Sequence, residues 1–207
     1  GNNLMPVTIN GDGSITGLAV GGLPDGCVDT DTLAANAVTK AKRVHSSGEI
    51  VQTQSFIFTS VTENFTPRAW HGTSVTKQIT PTSSSNKILV MATLTAGNEA
   101  VGEGSAFKVM RSVNGGSYAE TVALGDAVGG ANRGAVGGLY DSNVQYNTDC
   151  RSIQFVDTPN TTSPVDYKIY VYVFDGSKPV YINRPHTTTA LEHITGTSSI
   201  VLMEIAS

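Results

Sequence analysis

The feature of this sequence that most limits its fold is the glycine-rich segment at residues 10–26. Its seventeen residues, NGDGSITGLAVGGLPDG, include six glycines and no basic residue. Glycine loses more backbone entropy on ordering than any other residue, so such a segment needs contacts from elsewhere to hold one conformation. We therefore predict that other copies of the chain, or another protein, hold residues 1–44. This favours a component of an assembly over a free monomeric enzyme.

Residues 1–44 are predicted to form a hairpin, the glycine-rich thread and a short helix. The segments 7–9 and 14–16 flank the turn sequence NGDG, which is typical of a small hairpin. A helix is indicated over 31–43, with Asp31 suited to its N-terminus and basic residues at its C-terminal end. A helix this short and rich in alanine is marginal alone, so we predict that three copies pack as a trimeric stalk. The candidate contact residues of this stalk are Leu33, Ala37 and Ala41.

From about Gln52 onward the apolar residues recur with a period of two, which is typical of β-strands. The alternation is clearest from Val165 to Val173, where every second residue is apolar or tyrosine. The predicted strands are 53–60, 73–80, 86–94, 104–113, 117–123, 139–146, 149–157, 165–174, 180–183 and 196–206. Short strands separated by turn residues predict an all-β head domain over 45–207, an antiparallel jelly-roll-like sandwich.

Some of these strands are apolar on both faces, although one face of an antiparallel sandwich normally meets water. Ile88–Ala92 and Ile200–Met203 are continuous apolar runs, and tyrosines occupy the second face of 165–174. We therefore expect neighbouring copies in a homotrimer to cover one sheet. The candidate interface residues in the head are Tyr170, Tyr172, Val201, Leu202 and Met203.

The connections between predicted strands alternate between long and short. If successive strands are antiparallel, the long connections gather at a tip away from residues 1–44; they are 61–72, 95–103, 124–138, 158–164 and 184–195. Loops on a rigid scaffold are common binding sites, and these carry a tryptophan ring and several hydrogen-bond donors. The candidate receptor-binding residues are Arg68, Trp70, His71, Arg133, Arg184 and His186. The alternative for Trp70 is that it only packs under its own loop.

Several segments resemble bacteriophage fibre and tail proteins. They are DGSITGL at 12–18, VGGLPDG at 20–26, LAANAVT at 33–39, ITPTSSSNKILV at 79–90, NTTS at 160–163, SSI at 198–200 and MEI at 203–205. The resemblance spans nearly the whole chain and implies a homotrimeric tail or virion fibre. Residues 1–44 would then dock on other virion structural proteins. The head, analogous in fold to the C1q and tumour-necrosis-factor trimers, would bind a glycan or protein of the host cell surface.

This resemblance also implies a location in the virion, after synthesis in the cytoplasm of a bacterial host. The N-terminal residues lack the charged start and apolar run of a signal peptide, which agrees with synthesis without secretion. Neither the resemblance nor the composition distinguishes a tail position from a capsid position.

The composition argues against several other functions. Charged residues make up 14% of the chain and its net charge is −4, whereas nucleic-acid binding requires lysine and arginine to neutralise phosphates. No stretch approaches the roughly 20 apolar residues of a membrane span. The four histidines and two cysteines lack zinc-ligand spacing, and Asp12, Asp29 and Asp31 suit turns and helix capping better than a calcium loop. No cofactor and no metal site are expected.

No catalytic residue is assigned, and the chain is predicted not to be an enzyme. Glu99, Glu103 and Asp126 lie in predicted loops, where a glycosidase pair would have to form, but neither GxSxG nor HExxH occurs. Three alternatives stay open beside the receptor-binding fibre. They are a structural capsid or tail decoration or connector without receptor binding, a glycan-degrading enzyme, and a soluble bacterial C1q-like lectin.

Overall fold

The computed structural model describes residues 8–12, 15–16, 43–66, 68–98, 105–137, 147–174, 178–189 and 194–207. The chain divides into two units, Gly1–Val44 and His45–Ser207. In the first unit, strand β1 (Thr8–Ile9) pairs antiparallel with β2 (Ile15–Thr16), which is the predicted hairpin around NGDG. The predicted thread, the helix and the stalk positions Leu33, Ala37 and Ala41 lie outside the described residues.

The second unit is built from antiparallel β-sheets, and its described residues include no helix. Its strands are β3 (Ile50–Phe58), β4 (Asn64–Phe65), β5 (Trp70–Ile79), β6 (Lys87–Asn98), β7 (Ser105–Val113), β8 (Ala119–Glu120), β9 (Asp149–Asp157), β10 (Val165–Val173), β11 (Val180–Ile182) and β12 (Ser198–Ile205). The six-stranded sheet has the order β3-β12-β6-β11-β4, and β9 also pairs with β6. The four-stranded sheet has the order β5-β10-β7-β8.

The two sheets pack face to face as a sandwich. Most successive long strands belong to opposite sheets, so the chain crosses between layers repeatedly, as in a jelly roll. Each strand contributes every second side chain to the core: on β10 these are Val165, Tyr167, Ile169, Val171 and Val173, all fully buried. Ile88, Val90, Ile200 and Leu202 approach from the other sheet. The predicted all-β antiparallel sandwich is confirmed.

One end of the sandwich contains the residues at which the chain enters it. There the start of β3, the end of β12 and the start of β6 lie side by side, since Ile205 is opposite both Ile50 and Lys87. The start of β10 is opposite the ends of β5 and β7, with Val165 facing Ile79 and Val113. We call this the entry end, and the opposite end of the strands the far end.

A buried polar cluster closes the core at the entry end. Arg111 Nη1 lies 2.7 Å from both carboxylate oxygens of Asp157, and the Tyr167 hydroxyl donates to Asp157 at 2.7 Å. Asp157 is 1% exposed and Tyr167 is fully buried. Burial, and then the Asp157 charge, raise the pKa of Tyr167, so its hydroxyl stays protonated as a donor. Each buried polar group in the cluster thus has a partner.

Glu204, fully buried on β12, fastens the loop between β5 and β6 at the same end. Its carboxylate accepts hydrogen bonds from Gln52 Nε2 at 2.7 Å, from the Thr82 amide and hydroxyl at 2.6 and 2.8 Å, and from Asn86 Nδ2 at 2.7 Å. Burial alone would raise the pKa of Glu204, but the hydrogen bonds from Asn86, Gln52 and Thr82 outweigh it and hold that pKa below its ordinary value of 4.5.

A Glu204→Gln variant is expected to lose about 2 kcal/mol of unfolding free energy at neutral pH, because an amide cannot accept from all four donors. Since the folded-state pKa is lowered, Glu204 adds stability that is complete above pH 4.5 and is lost as the pH falls through the folded-state pKa. Urea unfolding at pH 7 and at about pH 3.5 measures both effects. The control is Glu63→Gln, at a less buried carboxylate bonded to Ser74.

We expect acidification to weaken the wild type more than Glu204→Gln, and Glu63→Gln to lose less unfolding free energy than Glu204→Gln at pH 7 because its hydrogen bonds are exposed. Equal acid sensitivity of the wild type and Glu204→Gln would contradict the role of this carboxylate.

The structure corrects several boundaries that the sequence suggested. β5 begins at Trp70, so Trp70 and His71 are strand residues and not part of the loop 61–72. The predicted strand 117–123 is reduced to Ala119–Glu120, and 139–146 lies outside the described residues.

The predicted distribution of loops between the two ends is also partly wrong. Asn114 donates its amide to the Pro164 carbonyl at 2.8 Å, which places loop 158–164 at the entry end beside loop 114–116. The predicted tip therefore does not include 158–164.

Candidate functional site

Two outer sheet faces of the head differ sharply in chemistry. The uncharged face is the outer surface of β3, β12, β6 and β9 in the six-stranded sheet. The pairing aligns it in rows, which are Ile57–Ser199–Thr93–Ser152, Ser55–Val201–Met91–Gln154, Thr53–Met203–Leu89–Val156 and Ile50–Ile205–Lys87. Among these described positions Lys87, at the edge of the entry end, is the one charged residue.

Apolar side chains occupy the middle of the uncharged face and small hydroxyls surround them. Val156 is 46% exposed and Ile57 is 64% exposed, while Leu89, Met91 and Val201 are half-buried only by their strand neighbours. The Thr93 and Ser152 hydroxyls hydrogen-bond to each other at 2.9 Å, which lowers the cost of removing water from them. A continuous apolar area without charges is the chemistry of a surface that another protein covers.

The candidate head residues for trimer contacts do not share one surface. Val201 and Met203 lie on the uncharged face, whereas Tyr170 and Tyr172 lie on the outside of the four-stranded sheet. Leu202 is fully buried in the core between the sheets. Its assignment to an interface between copies was therefore wrong, because alternate residues of β12 point to opposite sides of the sheet.

The second surface, which we call the aromatic face, is the outside of the four-stranded sheet. It consists of Trp70, Tyr118, Tyr170, Tyr172 and Phe174. Ring centroids lie 5.2 Å apart for Trp70 and Tyr172, 5.2 Å for Tyr172 and Phe174, and 5.7 Å for Tyr118 and Tyr170. The face therefore holds two groups of rings in mutual contact, in geometries that aromatic pairs favour.

Gly72 makes room for one of these rings. A Cβ atom at Gly72 would lie 3.1 Å from Tyr170 Cζ and 3.4 Å from Tyr170 Cε2, so the Tyr170 ring lies over the β5 backbone at this residue. Burial, and then Tyr118, raise the pKa of Tyr170, which keeps its hydroxyl neutral at physiological pH.

Cationic side chains lie among these rings. Lys108 Nζ is 4.4 Å from the Trp70 ring centroid and 2.8 Å from Glu120 Oε1, and Lys108 is only 6% exposed. The Lys108 hydrogen bond is the main cause that lowers the pKa of Glu120; burial opposes it, and the charges of Lys108 and Arg133 add to it. Lys168 Nζ lies 5.1 Å from the Tyr118 ring centroid. The lysines thus interact with the rings as cation–π pairs.

The structure brings Arg68, Trp70 and Arg133 to this face. Arg68 Nε donates to the Phe174 carbonyl, and Arg133 Nη1 lies 3.6 Å from Glu120. Arg133 Nε also donates to the Gly125 carbonyl at 2.8 Å. The glycine-rich segment around Arg133, part of the connection 124–138 that was predicted to lie at the tip, is anchored along β7, where Ala135 and Val136 pair with Phe107.

The other three candidate receptor residues lie elsewhere. His71 stacks on Phe65 at 5.4 Å, and Phe65 packs against the core. The guanidinium carbon of Arg184 lies 4.0 Å from the Tyr181 ring centroid, and its nitrogens donate to the carbonyls of Val61, Pro185 and His186. The His186 ring stacks on the Tyr181 ring with centroids 5.4 Å apart, and its Nδ1 is buried. These side chains hold the far end together.

Backbone crowding explains part of this packing. A Cβ atom at Gly97 would lie 2.5 Å from the Arg184 carbonyl oxygen and 2.8 Å from Pro185 Cα, so only glycine lets this segment lie against β6.

Sequence reasoning missed Lys108, Tyr118 and Glu120 as members of the aromatic face. Lys108 on β7 and Glu120 on β8 reach it through cross-strand pairing, with Lys108 opposite Tyr170 and Met110 opposite Glu120, and Tyr118 directly precedes β8. The alternation of β7 could have placed Lys108 on an outer face, but no local pattern identifies the strand beside it.

The described residues contain no group of three His, Cys, Asp or Glu side chains that could hold a metal ion. Cys150 is a free, exposed thiol on β9. In the described part of the chain, no helix has the length and apolar character needed to cross a bilayer. Of the carboxylates considered for catalysis, Asp126 is exposed, and Glu99 and Glu103 lie outside the described residues.

Comparisons with known proteins do not identify a family for this chain. No family model and no curated protein matches the chain. Among solved structures, it is similar to a chain in the structure of infectious bursal disease virus, Gx strain, with 12% sequence identity and a TM-score of 0.32. The match covers 79% of this protein and 43% of the viral chain, so the protein spans less than half of that chain's length. A TM-score this low does not establish a common fold, and function must be argued from the chain itself.

Proposed function

We propose that this protein is a bacteriophage virion fibre whose head is a homotrimer of the C1q and tumour-necrosis-factor type. The observation that supports this most strongly is the uncharged face. A free monomer would expose Leu89, Met91, Val156, Val201 and Met203 side by side on one sheet. Covering apolar area gains roughly 25 cal/mol per Å², so association through this face is favourable.

The distribution of charged side chains favours self-association at only one of the two faces. The uncharged face offers no repulsion between copies apart from Lys87 at its edge. The aromatic face, in contrast, carries charged side chains of both signs, whose burial between copies would cost desolvation free energy. We therefore place the contacts between copies at Val201 and Met203, and leave Tyr170 and Tyr172 outside the interface.

The recognition role rests on the aromatic face and on the end at which the chain enters the head. The chain enters the second unit at His45–Glu49, where the Gly48 amide donates to the Ala206 carbonyl at 2.9 Å. We propose that residues 1–44 dock on other virion structural proteins, as the resemblance of 12–18 and 20–26 to phage fibres implies. Arg68, Trp70 and Arg133 then contact a glycan or protein of the bacterial host surface.

A protein that lacks residues 1–44 is expected to stay folded, because every core side chain among the described residues belongs to the second unit. It should block adsorption of the source phage to its host about as well as the full chain does, because both carry the aromatic face. It should be absent from particles, because the docking segment is gone. Adsorption counts with excess purified protein, and immunodetection on purified particles, measure the two effects.

Three results would contradict parts of this proposal. Particles that carry the truncated protein at normal copy number would remove the docking role of residues 1–44. Failure of the full chain to block adsorption would favour a decoration or connector without receptor binding. Release of reducing sugar from host envelopes would point to a glycan-degrading enzyme.

A further inference from the structure

We propose that the aromatic face binds an acidic saccharide, with Trp70 and Tyr118 contacting sugar rings and Lys168 pairing with a carboxylate of the ligand. This inference rests on the proposed recognition function and assigns it a ligand class and a location. The location is the surface of the four-stranded sheet, and the loops at the far end are not required.

The arrangement of the rings supports a sugar ligand. Aromatic rings present flat apolar surfaces, and tyrosine and tryptophan add a polar group at one edge. Trp70, Tyr118 and Tyr170 are half-buried and Phe174 is 38% exposed, so the rings remain accessible at an outer surface. The Tyr170 ring packs on the backbone at Gly72, and the Trp70 ring contacts Tyr172 and Lys108. Rings fixed in this way bind without a large loss of side-chain entropy.

Cations and anions both line this face. Its four cations, Arg68, Lys108, Lys168 and Arg133, are matched by four carboxylates, which are Glu120, Asp166, Glu63 bonded to Ser74, and Asp126 beside Gly125. The selection of an anionic ligand therefore depends on a cation that these carboxylates leave without an ion pair.

Lys168 is the cation best placed to meet a ligand. Lys108 and Arg133 are already paired with Glu120, and Asp166 accepts a hydrogen bond from Gln78 at 3.1 Å. In the described part of the chain Lys168 forms no ion pair, and its ammonium lies beside the Tyr118 ring. A carboxylate at this ammonium would sit next to two rings, Tyr118 and Tyr170, which contact each other.

A neutral sugar or a nucleic acid fits these observations less well. A neutral sugar would leave Lys168 without a countercharge. Single-stranded nucleic acid also stacks on aromatic rings, but it requires a basic groove that follows the phosphates, and the net charge of −4 opposes it.

Trp70 is the sole tryptophan of the chain, so its fluorescence reports directly on this face. The probes are sialyllactose and a galacturonate tetramer, with lactose and maltotetraose as neutral counterparts and an oligothymidylate as the nucleic-acid probe. We expect a saturable change of Trp70 emission with an acidic saccharide, and binding of its neutral counterpart at least tenfold weaker. Added salt should weaken the acidic interaction, because exposed charges are screened.

Lys168→Gln should lower the affinity for the acidic saccharide about tenfold, as loss of one charge-assisted hydrogen bond predicts. The matched control is Lys87→Gln, which removes the same charge from the edge of the uncharged face and should leave affinity unchanged. Urea unfolding of both variants checks that they fold as the wild type does.

Absence of a saturable signal with both acidic saccharides would overturn the proposal, as would equal binding of the neutral counterparts, tighter binding of the oligothymidylate, or unchanged affinity in Lys168→Gln. These failures differ from failure of the proposed function. A protein that blocks phage adsorption but binds no acidic saccharide would keep its receptor role and lose this ligand class. A protein that binds the saccharide but is absent from particles would keep this ligand class and lose the proposed virion role.

Discussion

Leu202→Asp is expected to unfold the head domain, whereas Val201→Asp should leave the monomer folded and abolish its assembly. Leu202 is fully buried between the sheets, so an aspartate there loses the packing of the leucine and buries an unpaired charge. Together these cost about 5 kcal/mol or more, which is comparable to the whole stability of a domain.

The adjacent Val201 points to the opposite side of β12, between Ser55 and Met91 on the uncharged face. In the monomer its replacement by aspartate costs about 1 kcal/mol or less, because the carboxylate stays in water. In the proposed trimer the carboxylate of every copy would be buried at an interface without a countercharge, at a cost of several kcal/mol for each copy.

Circular dichroism and light scattering separate the two outcomes. Val201→Thr is the control, since it keeps the branched shape without a charge and should assemble as the wild type does. Two folded, assembled aspartate variants would contradict the placement of β12 between the core and an interface. If Val201→Asp unfolds and Leu202→Asp stays folded, then Val201 faces the core and Leu202 faces outward, opposite to their placement in the structure.

The double variant Trp70→Ala with Arg68→Ala should lose most of its ability to block phage adsorption, with a much smaller loss of thermal stability. Both side chains belong to the aromatic face, where Trp70 contacts Tyr172 and Lys108 and Arg68 contacts Phe174. In the proposed trimer, three linked copies multiply each weak site, so removal of the site from every copy can lower binding of the protein to cells by about 10² or more.

The matched control is Arg184→Ala with His186→Ala, two further members of the predicted receptor set. Their contacts with Tyr181 and with backbone carbonyls stabilise the far end. This variant is expected to unfold at a lower temperature and, below that temperature, to block adsorption as well as the wild type does. Equal loss of blocking by both double variants would show that the recognition surface extends to the far end.

The sequence predicted the architecture of the head because strand alternation is local. The run from Val165 to Val173 shows one buried face directly, and the structure buries all five of its inward residues. The apolar second face of the same segment was also visible, as Tyr170 and Tyr172. Its partners were not, because pairing of β10 with β5 and β7 joins residues far apart in sequence.

The candidate site was predicted only in part, for physical reasons that specific residues illustrate. The register of β10 on β5 shifts between Lys168 and Tyr170, an irregularity that no sequence pattern near Trp70 indicates. Leu202 and Val201 look alike in a continuous apolar run, and only the register of β12 decides which one faces the core. Arg184 and His186 look like free polar groups until backbone carbonyls and Tyr181 are placed beside them.

The central claim, that copies of the chain assemble through the uncharged face, is tested most directly by the mass of the purified full chain in solution. Light scattering after gel filtration at micromolar concentration is expected to give three times 21.6 kDa for the wild type and 21.6 kDa for Val201→Asp. A wild-type mass of 21.6 kDa, or an unchanged trimer in Val201→Asp, would contradict the claim.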